Sequence, residues 1–264
     1  MKKQRLDQLV FERGFTDSRE RAKTTVMSGL VFVDGQRVDK PGAPVSPEAV
    51  IEVRGEAIPF VSRGGFKLDK ALKVFPVDPA GLCCIDCGAS TGGFTDVLLQ
   101  HGAAKVYAVD VGYGQLAWKL RNDPRVVNLE RTNLRYVTEE QVPEKLDLAV
   151  MDVSFISVRL VIPAVKELLK PGASLICLIK PQFEAGREEV GKKGVVRDAA
   201  VHREVIETVL AFARESGWSV MGLDFSPIRG PEGNIEFICY LKNGAFDAPE
   251  IDAAAVVEAA HAAF

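Results

Sequence analysis

The sequence predicts an α/β protein in which a small α+β region precedes a doubly wound parallel sheet whose last strand runs antiparallel. Three observations carry this. From Arg63 onward, short apolar runs alternate with helical patterns, the rhythm of a parallel sheet covered on both faces. The last two runs are joined without a helix, so the final strand turns back beside its neighbour instead of crossing over. Ahead of them, two short amphipathic stretches and a hairpin make a compact front segment. Boundaries are expected at 1–58 for the front domain, 59–62 for a linker, 63–245 for the sheet domain and 246–264 for a helical tail.

In the front segment, Leu6, Leu9, Val10 and Phe11 lie in one amphipathic stretch that ends at the Gly14 turn. A second helix is expected to open at Asp17, which has capping-box spacing with Glu20. This helix should carry Ala22, Val26 and Met27 inward, set Arg19, Arg21 and Lys23 on its outer side, and stop at Gly29. Val31 and Val33 then alternate with Phe32 up to Asp34-Gly35, a pair suited to φ > 0 in a hairpin turn. The chain returns through Arg37 to Pro41, and Ile51 to Arg54 closes the region.

Strands are expected near 82–86, 105–109, 126–129, 147–151, 173–179, 218–225 and 234–241, with helices near 66–74, 94–101, 114–121, 158–169 and 198–216. The Ala-rich stretch from Ile251 to Phe264 reads as a further helix. At 47% hydrophobic residues, the chain can bury a full core. A net charge of −3 means that any nucleic-acid surface is a local patch. The N-terminus lacks the apolar stretch of a secretory signal, and no apolar run approaches the roughly 20 residues of a membrane span. A cytoplasmic location is expected, with no membrane partner. Oligomeric state stays open.

Cys83, Cys84, Cys87, Cys177 and Cys239 are odd in number and crowded into strands, which suits buried thiols rather than disulfides. Although Cys84 and Cys87 have C-x-x-C spacing, His101, His202 and His261 are distant in sequence, so no metal site is expected.

The turn after the first sheet strand is the candidate cofactor site. Asp86 ends Leu82 to Asp86, and Cys87-Gly88-Ala89-Ser90-Thr91-Gly92-Gly93-Phe94 enters a helix, with small residues that let the backbone approach a ligand. No Gly-Lys-Ser/Thr follows, and the spacing is not G-x-G-x-x-G. Asp110, ending the next strand, can accept hydrogen bonds from two ribose hydroxyls. A dinucleotide needs a pyrophosphate cradle, whereas S-adenosylmethionine carries no phosphate and needs only a tight glycine bed, so the loop favours S-adenosylmethionine. Asn133 could meet the adenine edge or be a polar loop residue without a ligand.

Lys67, Asp152, Lys180 and Glu236 are candidates for one catalytic crevice. Asp152 follows the apolar run Leu146 to Met151, and Lys180 follows Ala173 to Ile179, at the strand ends where open parallel sheets bind ligands. Lys67 stands near a helix start and Glu236 inside a strand; each could also be a solvent-facing charge. A hydroxyl is a poor nucleophile and needs a partner that accepts its proton, and Lys180 can serve when neutral. Burial and Lys67 disfavour its charged form while Asp152 and Glu236 favour it, so its protonation state is left open. Lys67 and Glu236 would orient it, and Asp152 would lie toward the methyl donor as well as the lysine. The Gly-rich stretch Glu184 to Arg197 is expected to be a mobile loop with Arg187, Lys192, Lys193 and Arg197 near phosphates, or a solvated loop with no such role.

The first 55 to 60 residues resemble the S4 RNA-binding domain, through Arg5-Leu6-Asp7, Ser18-Arg19, Ala22, Gly29, Val31-x-Val33-x-Gly35 and Val38-x-Lys40-Pro41. The remainder resembles the RrmJ/FtsJ-type ribose 2′-O-methyltransferases through Ser62-Arg63-Gly64-Gly65-Phe66-Lys67-Leu68, Asp86-x-Gly88-Ala89-Ser90-x-Gly92-Gly93-Phe94, Met151-Asp152-Val153-Ser154-Phe155, Ile179-Lys180-Pro181-Gln182-Phe183 and Asn234-Ile235-Glu236-Phe237. The whole chain is similar to the TlyA family of ribosomal RNA cytidine 2′-O-methyltransferases. That resemblance implies a Rossmann-like methyltransferase domain, a Lys-Asp-Lys-Glu tetrad and ribosomal RNA in ribosomal subunits as partner. It implies RNA contacts at Arg5, Arg19, Arg21, Lys23, Lys40 and Arg63. Some relatives carry the name haemolysin, so a membrane-lytic protein is one alternative, beside a non-catalytic ribosome-assembly factor and an NAD-dependent oxidoreductase.

Overall fold

A computed structural model describes residues 3–16, 18–55, 58–230 and 232–264. They fall into two compact units, Met1–Gly65 and Phe66–Phe264.

In the first unit, β1 (Gln4–Arg5) leads into α1 (Leu6–Glu12), followed by α2 (Arg19–Met27), β2 (Val31–Val33), β3 (Gln36–Arg37), β4 (Pro44–Val45) and β5 (Ile51–Val53). Leu6, Leu9 and Val10 of α1 pack with Ala22 and Val26 of α2 beneath Val31 and Ile51. Two expectations are corrected here. Met27 is 45% exposed, because one step of 100° past Val26 takes it off the face shared by Ala22 and Val26. The cap of α2 is Ser18, whose extended backbone lets its hydroxyl accept from the Arg21 amide at 3.1 Å; Asp17 lies outside the described residues. The Asp34-Gly35 turn has φ of 50° and 78°, as a two-residue hairpin needs, and β2 is central to the order β3-β2-β5.

The second unit runs α3 (Gly65–Val74), β6 (Cys83–Cys87), α4 (Gly93–Gln100), β7 (Lys105–Val109), α5 (Trp118–Arg121), β8 (Val126–Leu129), β9 (Leu146–Met151), α6 (Ile162–Leu168), β10 (Leu169–Ile179), α7 (Pro181–Glu184), α8 (Ala199–Glu215), β11 (Trp218–Phe225), β12 (Phe237–Asn243) and α9 (Ala253–Ala263). Its sheet has the order β11-β12-β10-β9-β6-β7-β8. The five strands from β10 to β8 pair in parallel, and β12 enters antiparallel between β10 and β11, as the helix-free connection predicts. The order reverses between β6 and β9, the switch point where a crevice opens at the carboxyl ends.

The helix expected at 114–121 shrinks to α5, since the turn before it contains Gly112 and Gly114, the latter at φ 72°. The helix expected at 158–169 is a 3-10 turn, Val158–Leu160, followed by α6, which has Pro163 in its first turn. Glu236, expected within a strand, stands one residue ahead of β12. Ile85, Cys87, Ala149, Met151, Cys177 and Cys239 line the sheet interior. All five cysteines are free; burial pushes the thiols of Cys84 and Cys87 above their ordinary range, and a hydrogen bond with Cys239 together with burial does so for Cys177, which keeps all three protonated. Among the described residues, no helix is long and apolar enough to cross a membrane.

Candidate active site

The ends of β9 and β10, the start of α3 and the turn before β12 deliver four charges to one place. Asp152 extends β9, its amide donating to Cys87 O at 3.0 Å. Lys180 follows Ile179 of β10, and Pro181 after it turns the chain into α7. Lys67 is the third residue of α3. Lys67 Nζ lies 2.6 Å from Glu236 Oε2 and 3.1 Å from Asp152 Oδ2, while Lys180 Nζ lies 2.6 Å from Asp152 Oδ1. The charges therefore alternate along a line, Glu236, Lys67, Asp152, Lys180. Lys67, Lys180 and Glu236 are buried.

Four desolvated charges are costly unless each has a partner of opposite sign. Burial works against the charge on Lys67, but Asp152 and Glu236 more than offset it and hold its pKa above the ordinary value. Burial likewise favours the neutral form of Asp152, yet Lys67 and Lys180 hold its pKa below the ordinary carboxylate value. The stabilisation from Asp152 is thus present above its unfolded pKa and lost as pH falls through the folded one. That from Lys67 is present below its unfolded pKa and lost as pH rises through the folded one. Both are in place at neutral pH.

The glycine turn adjoins this line. Gly88 has φ 87°, and a Cβ there would sit 3.0 Å from Asp152 O, so only glycine lets β6 pass so close to the end of β9. At Gly92, φ 96°, a Cβ would strike Leu120 and Leu116. Gly93 opens α4, and Ala89 is buried beside it. The Phe94 ring is packed in the core, leaving only its backbone on the turn. Asp110 accepts from the Ser90 amide and the Gly112 amide, each at 2.7 Å, which ties the turn to the end of β7. Asn133 accepts from the Arg135 amide at 3.0 Å and caps a 3-10 turn.

Asp86 is buried. Its Oδ2 accepts from the Thr95 amide and hydroxyl at 2.8 and 2.7 Å, and its Oδ1 has no hydrogen-bond partner. Burial pushes this carboxyl up to about 7, against the pull of Thr95 and with the push of the Asp152 and Asp110 charges. Because the folded pKa is the higher one, this group costs stability as pH rises from its unfolded value to about 7. Asp86→Asn, which keeps an acceptor for Thr95, is expected to raise unfolding stability at pH 8 by roughly 2–4 kcal/mol and to leave it nearly unchanged at pH 4. Denaturant melts at the two pH values check this. An unpartnered buried acceptor, a second acid at Asp110 and two glycines without side chains fit a cationic, phosphate-free nucleoside such as S-adenosylmethionine.

The expected mobile loop is anchored at its far end. Asn234, two residues before Glu236, accepts from the Val196 amide at 3.0 Å and donates to Gly194 O at 2.9 Å, and Val195 and Val196 are buried. Arg187, Lys192, Lys193 and Arg197 are exposed on it. In the first unit, Arg5 and Arg19 both reach the buried Asp7, at 2.9 and 3.4 Å, with about half of each side chain in solvent. Arg21 and Lys40 are exposed, Arg63 is half-buried, and Lys23 is half-buried beside Glu20 at 3.0 Å.

Sequence reasoning assigned no role to two residues that the structure brings out. Ser154 Oγ accepts from Lys180 Nζ at 2.9 Å. Phe155 is 91% exposed with φ 64°, a left-handed conformation unfavourable for a bulky residue, and its ring centroid lies 5.2 Å from that of Phe183. Nothing in the order of residues separates such an aromatic from one that would pack in the core.

Known proteins resemble the chain over both of its units. The FtsJ-like methyltransferase family matches residues 60–243, and the S4 domain matches residues 4–51. The chain is 46% identical over 239 residues to the 16S/23S rRNA (cytidine-2′-O)-methyltransferase TlyA of Mycobacterium tuberculosis, covering 90% of this chain and 89% of that one. It is 40% identical to Hemolysin A of Brachyspira hyodysenteriae, over 89% of this chain and 98% of the relative. A solved structure of a candidate hemolysin from Streptococcus thermophilus covers all of this chain and 97% of its own, at 48% identity and a TM-score of 0.79.

Proposed function

The chain belongs to the TlyA group of FtsJ-like methyltransferases that carry an S4 domain, and on that premise we propose that it methylates the ribose 2′-hydroxyl of a cytidine in ribosomal RNA. The observation that carries this reading is the buried line Glu236, Lys67, Asp152, Lys180 beside the glycine turn. S-adenosylmethionine supplies, when bound, an electrophilic methyl group on a sulfonium. Asp86, the turn from Gly88 to Gly93, Asp110 and Asn133 would hold it.

Lys180 stands at the end of the line opposite Glu236 and takes the proton of the ribose hydroxyl. Lys67 and Glu236 fix Asp152, and Asp152 fixes Lys180, so the amine meets the hydroxyl in a set position; such positioning converts an encounter into a near-unimolecular step. The S4 unit, through Arg5, Arg19, Arg21, Lys23 and Lys40, and Arg63, Arg187, Lys192 and Lys193 outside its hairpin region grip phosphates, which gives affinity without much sequence readout. Ribosomal subunits are the natural form of the substrate.

Phe155 completes the reading. Its exposed ring, kept in an unfavourable backbone conformation three residues past Asp152 and paired with Phe183 three residues past Lys180, suits stacking on the base of the target nucleotide. Phe155→Ala is expected to weaken productive binding by about 1–3 kcal/mol of stacking while leaving S-adenosylmethionine affinity unchanged; steady-state KM for the RNA and calorimetry with the cofactor separate the two.

Incubating the native protein with undermethylated ribosomal subunits and methyl-labelled S-adenosylmethionine tests the function. Label in 2′-O-methylcytidine after nuclease digestion is the expected result; rRNA without label would refute catalysis and leave a binding factor.

A further inference from the structure

We propose that Ser154 is a positioning residue that turns the Lys180 amine toward the ribose hydroxyl, an inference that rests on the methyl-transfer reading above. The two contacts of Lys180 differ in kind. Its 2.6 Å approach to Asp152 Oδ1 is an ion pair, and that oxygen accepts no aligned hydrogen bond, whereas its 2.9 Å contact with Ser154 Oγ is a directional one. A carboxylate attracts an ammonium over a wide range of orientations. A hydroxyl acceptor fixes where one N–H points, and hence the rotation about the last carbon–nitrogen bond.

This rotation matters only for the base form. A neutral amine has two hydrogens and one lone pair. With one hydrogen on Ser154 and the negative field of Asp152 drawing the second, the lone pair takes the remaining position, away from the carboxylate. There it can receive the proton as the ribose oxygen forms its bond to the methyl carbon. The electrons of the broken carbon–sulfur bond stay on sulfur, so one positive charge passes from sulfonium to ammonium and the step balances. Lys67 instead lies between two carboxylates at 2.6 and 3.1 Å, and two negative neighbours favour its ammonium form, which has no lone pair to act as a base.

The backbone supports a dedicated placement. Ser154 is exposed and directly precedes Phe155, whose φ of 64° is a conformation a non-glycine residue adopts at a cost. The turn is braced from the other side. Glu184, ending α7, accepts from Ser157 Oγ and the Val158 amide, each at 2.7 Å, so the segment after Asp152 is tied to the segment after Lys180. Both ends of the Lys180–Ser154 hydrogen bond are therefore held by one frame.

The test uses the full-length native protein with Ser154→Ala and Ser154→Thr, ribosomal subunits as substrate, and S-adenosylmethionine. Single-turnover methyl transfer by Ser154→Ala is expected to fall roughly 10- to 100-fold, with unchanged dissociation constants for S-adenosylmethionine and for subunits, and Ser154→Thr to recover most of the rate because the exposed position has room for a methyl. A readout without cofactor accompanies it: the 15N ammonium resonance of Lys180, identified by its loss in Lys180→Ala, is expected in the native protein and in Ser154→Thr and to vanish by exchange in Ser154→Ala. Transfer by Ser154→Ala at the native rate, failure of threonine to recover it, or an unchanged ammonium resonance in Ser154→Ala would overturn the proposal. If the native protein itself transfers no methyl, the methylation reading fails instead, and the ammonium resonance still decides whether Ser154 orients Lys180.

Discussion

Lys180→Ala is expected to lower methyl transfer to ribosomal RNA by roughly 10²–10⁴-fold while S-adenosylmethionine binding is nearly unchanged. The residues proposed to hold the cofactor lie at the ends of β6 and β7, in the turn between β6 and α4 and at Asn133, and neither the Asp110 contacts that tie that turn nor the Asn133 cap involves Lys180. Lys180 also sits at the end of the charge line, with Ser154 as its hydrogen-bond acceptor and Asp152 as its ion-pair partner. Its removal leaves Asp152 still paired with Lys67 at 3.1 Å, so the fold keeps a compensated carboxylate. Equal loss of cofactor affinity and transfer would mean that Lys180 acts by holding the site together, and not on the ribose proton.

Lys67→Met is the second large effect, and it is one of stability. Lys67 touches both Glu236 and Asp152, and Glu236 is 1% exposed. Without the amine, Glu236 is a buried carboxylate with no counter-charge, a situation that costs about 3–5 kcal/mol. The pH signature has a definite sign. In the native protein the Asp152 contribution is lost as pH falls. In Lys67→Met, an unpaired buried Glu236 has its folded pKa raised, so stability falls as pH climbs above the unfolded value of about 4.3. Chemical melts at pH 5 and pH 8 should show the deficit mainly at pH 8, and adding Glu236→Gln should relieve it. A variant as stable as the native protein at pH 8 would mean that the charge line is not a buried, mutually dependent unit.

The positions of Asp152 and Lys180 are legible in the sequence because each follows an unbroken apolar strand run, and a charge directly after such a run falls at the carboxyl edge of the sheet. The antiparallel entry of β12 is legible for a similar reason, since no helical pattern lies between β11 and β12 to carry a crossover. Glu236 is harder. Its neighbours Ile235 and Phe237 look like strand residues, and only the tertiary turn that bonds Gly230 N to Asn234 O sets it ahead of β12. The anchoring of the basic loop by Asn234 is illegible for the same reason, because its partners, Val196 and Gly194, are about 40 residues away and hydrogen bonds at that separation leave no periodic trace. Met27 shows the resolution limit of periodicity: one residue past a buried position already faces solvent. Ser154 and Phe155 stand in a turn whose left-handed backbone residue is not glycine, so its punctuation is absent from the chain.

The most direct test maps ribose methylation across ribosomal RNA in cells that carry the native protein, lack it, or carry Lys180→Ala. A cytidine 2′-O-methyl mark present only with the native protein is the expected outcome. A mark that persists at full occupancy with Lys180→Ala, or an rRNA methylation pattern identical in all three strains, would contradict it.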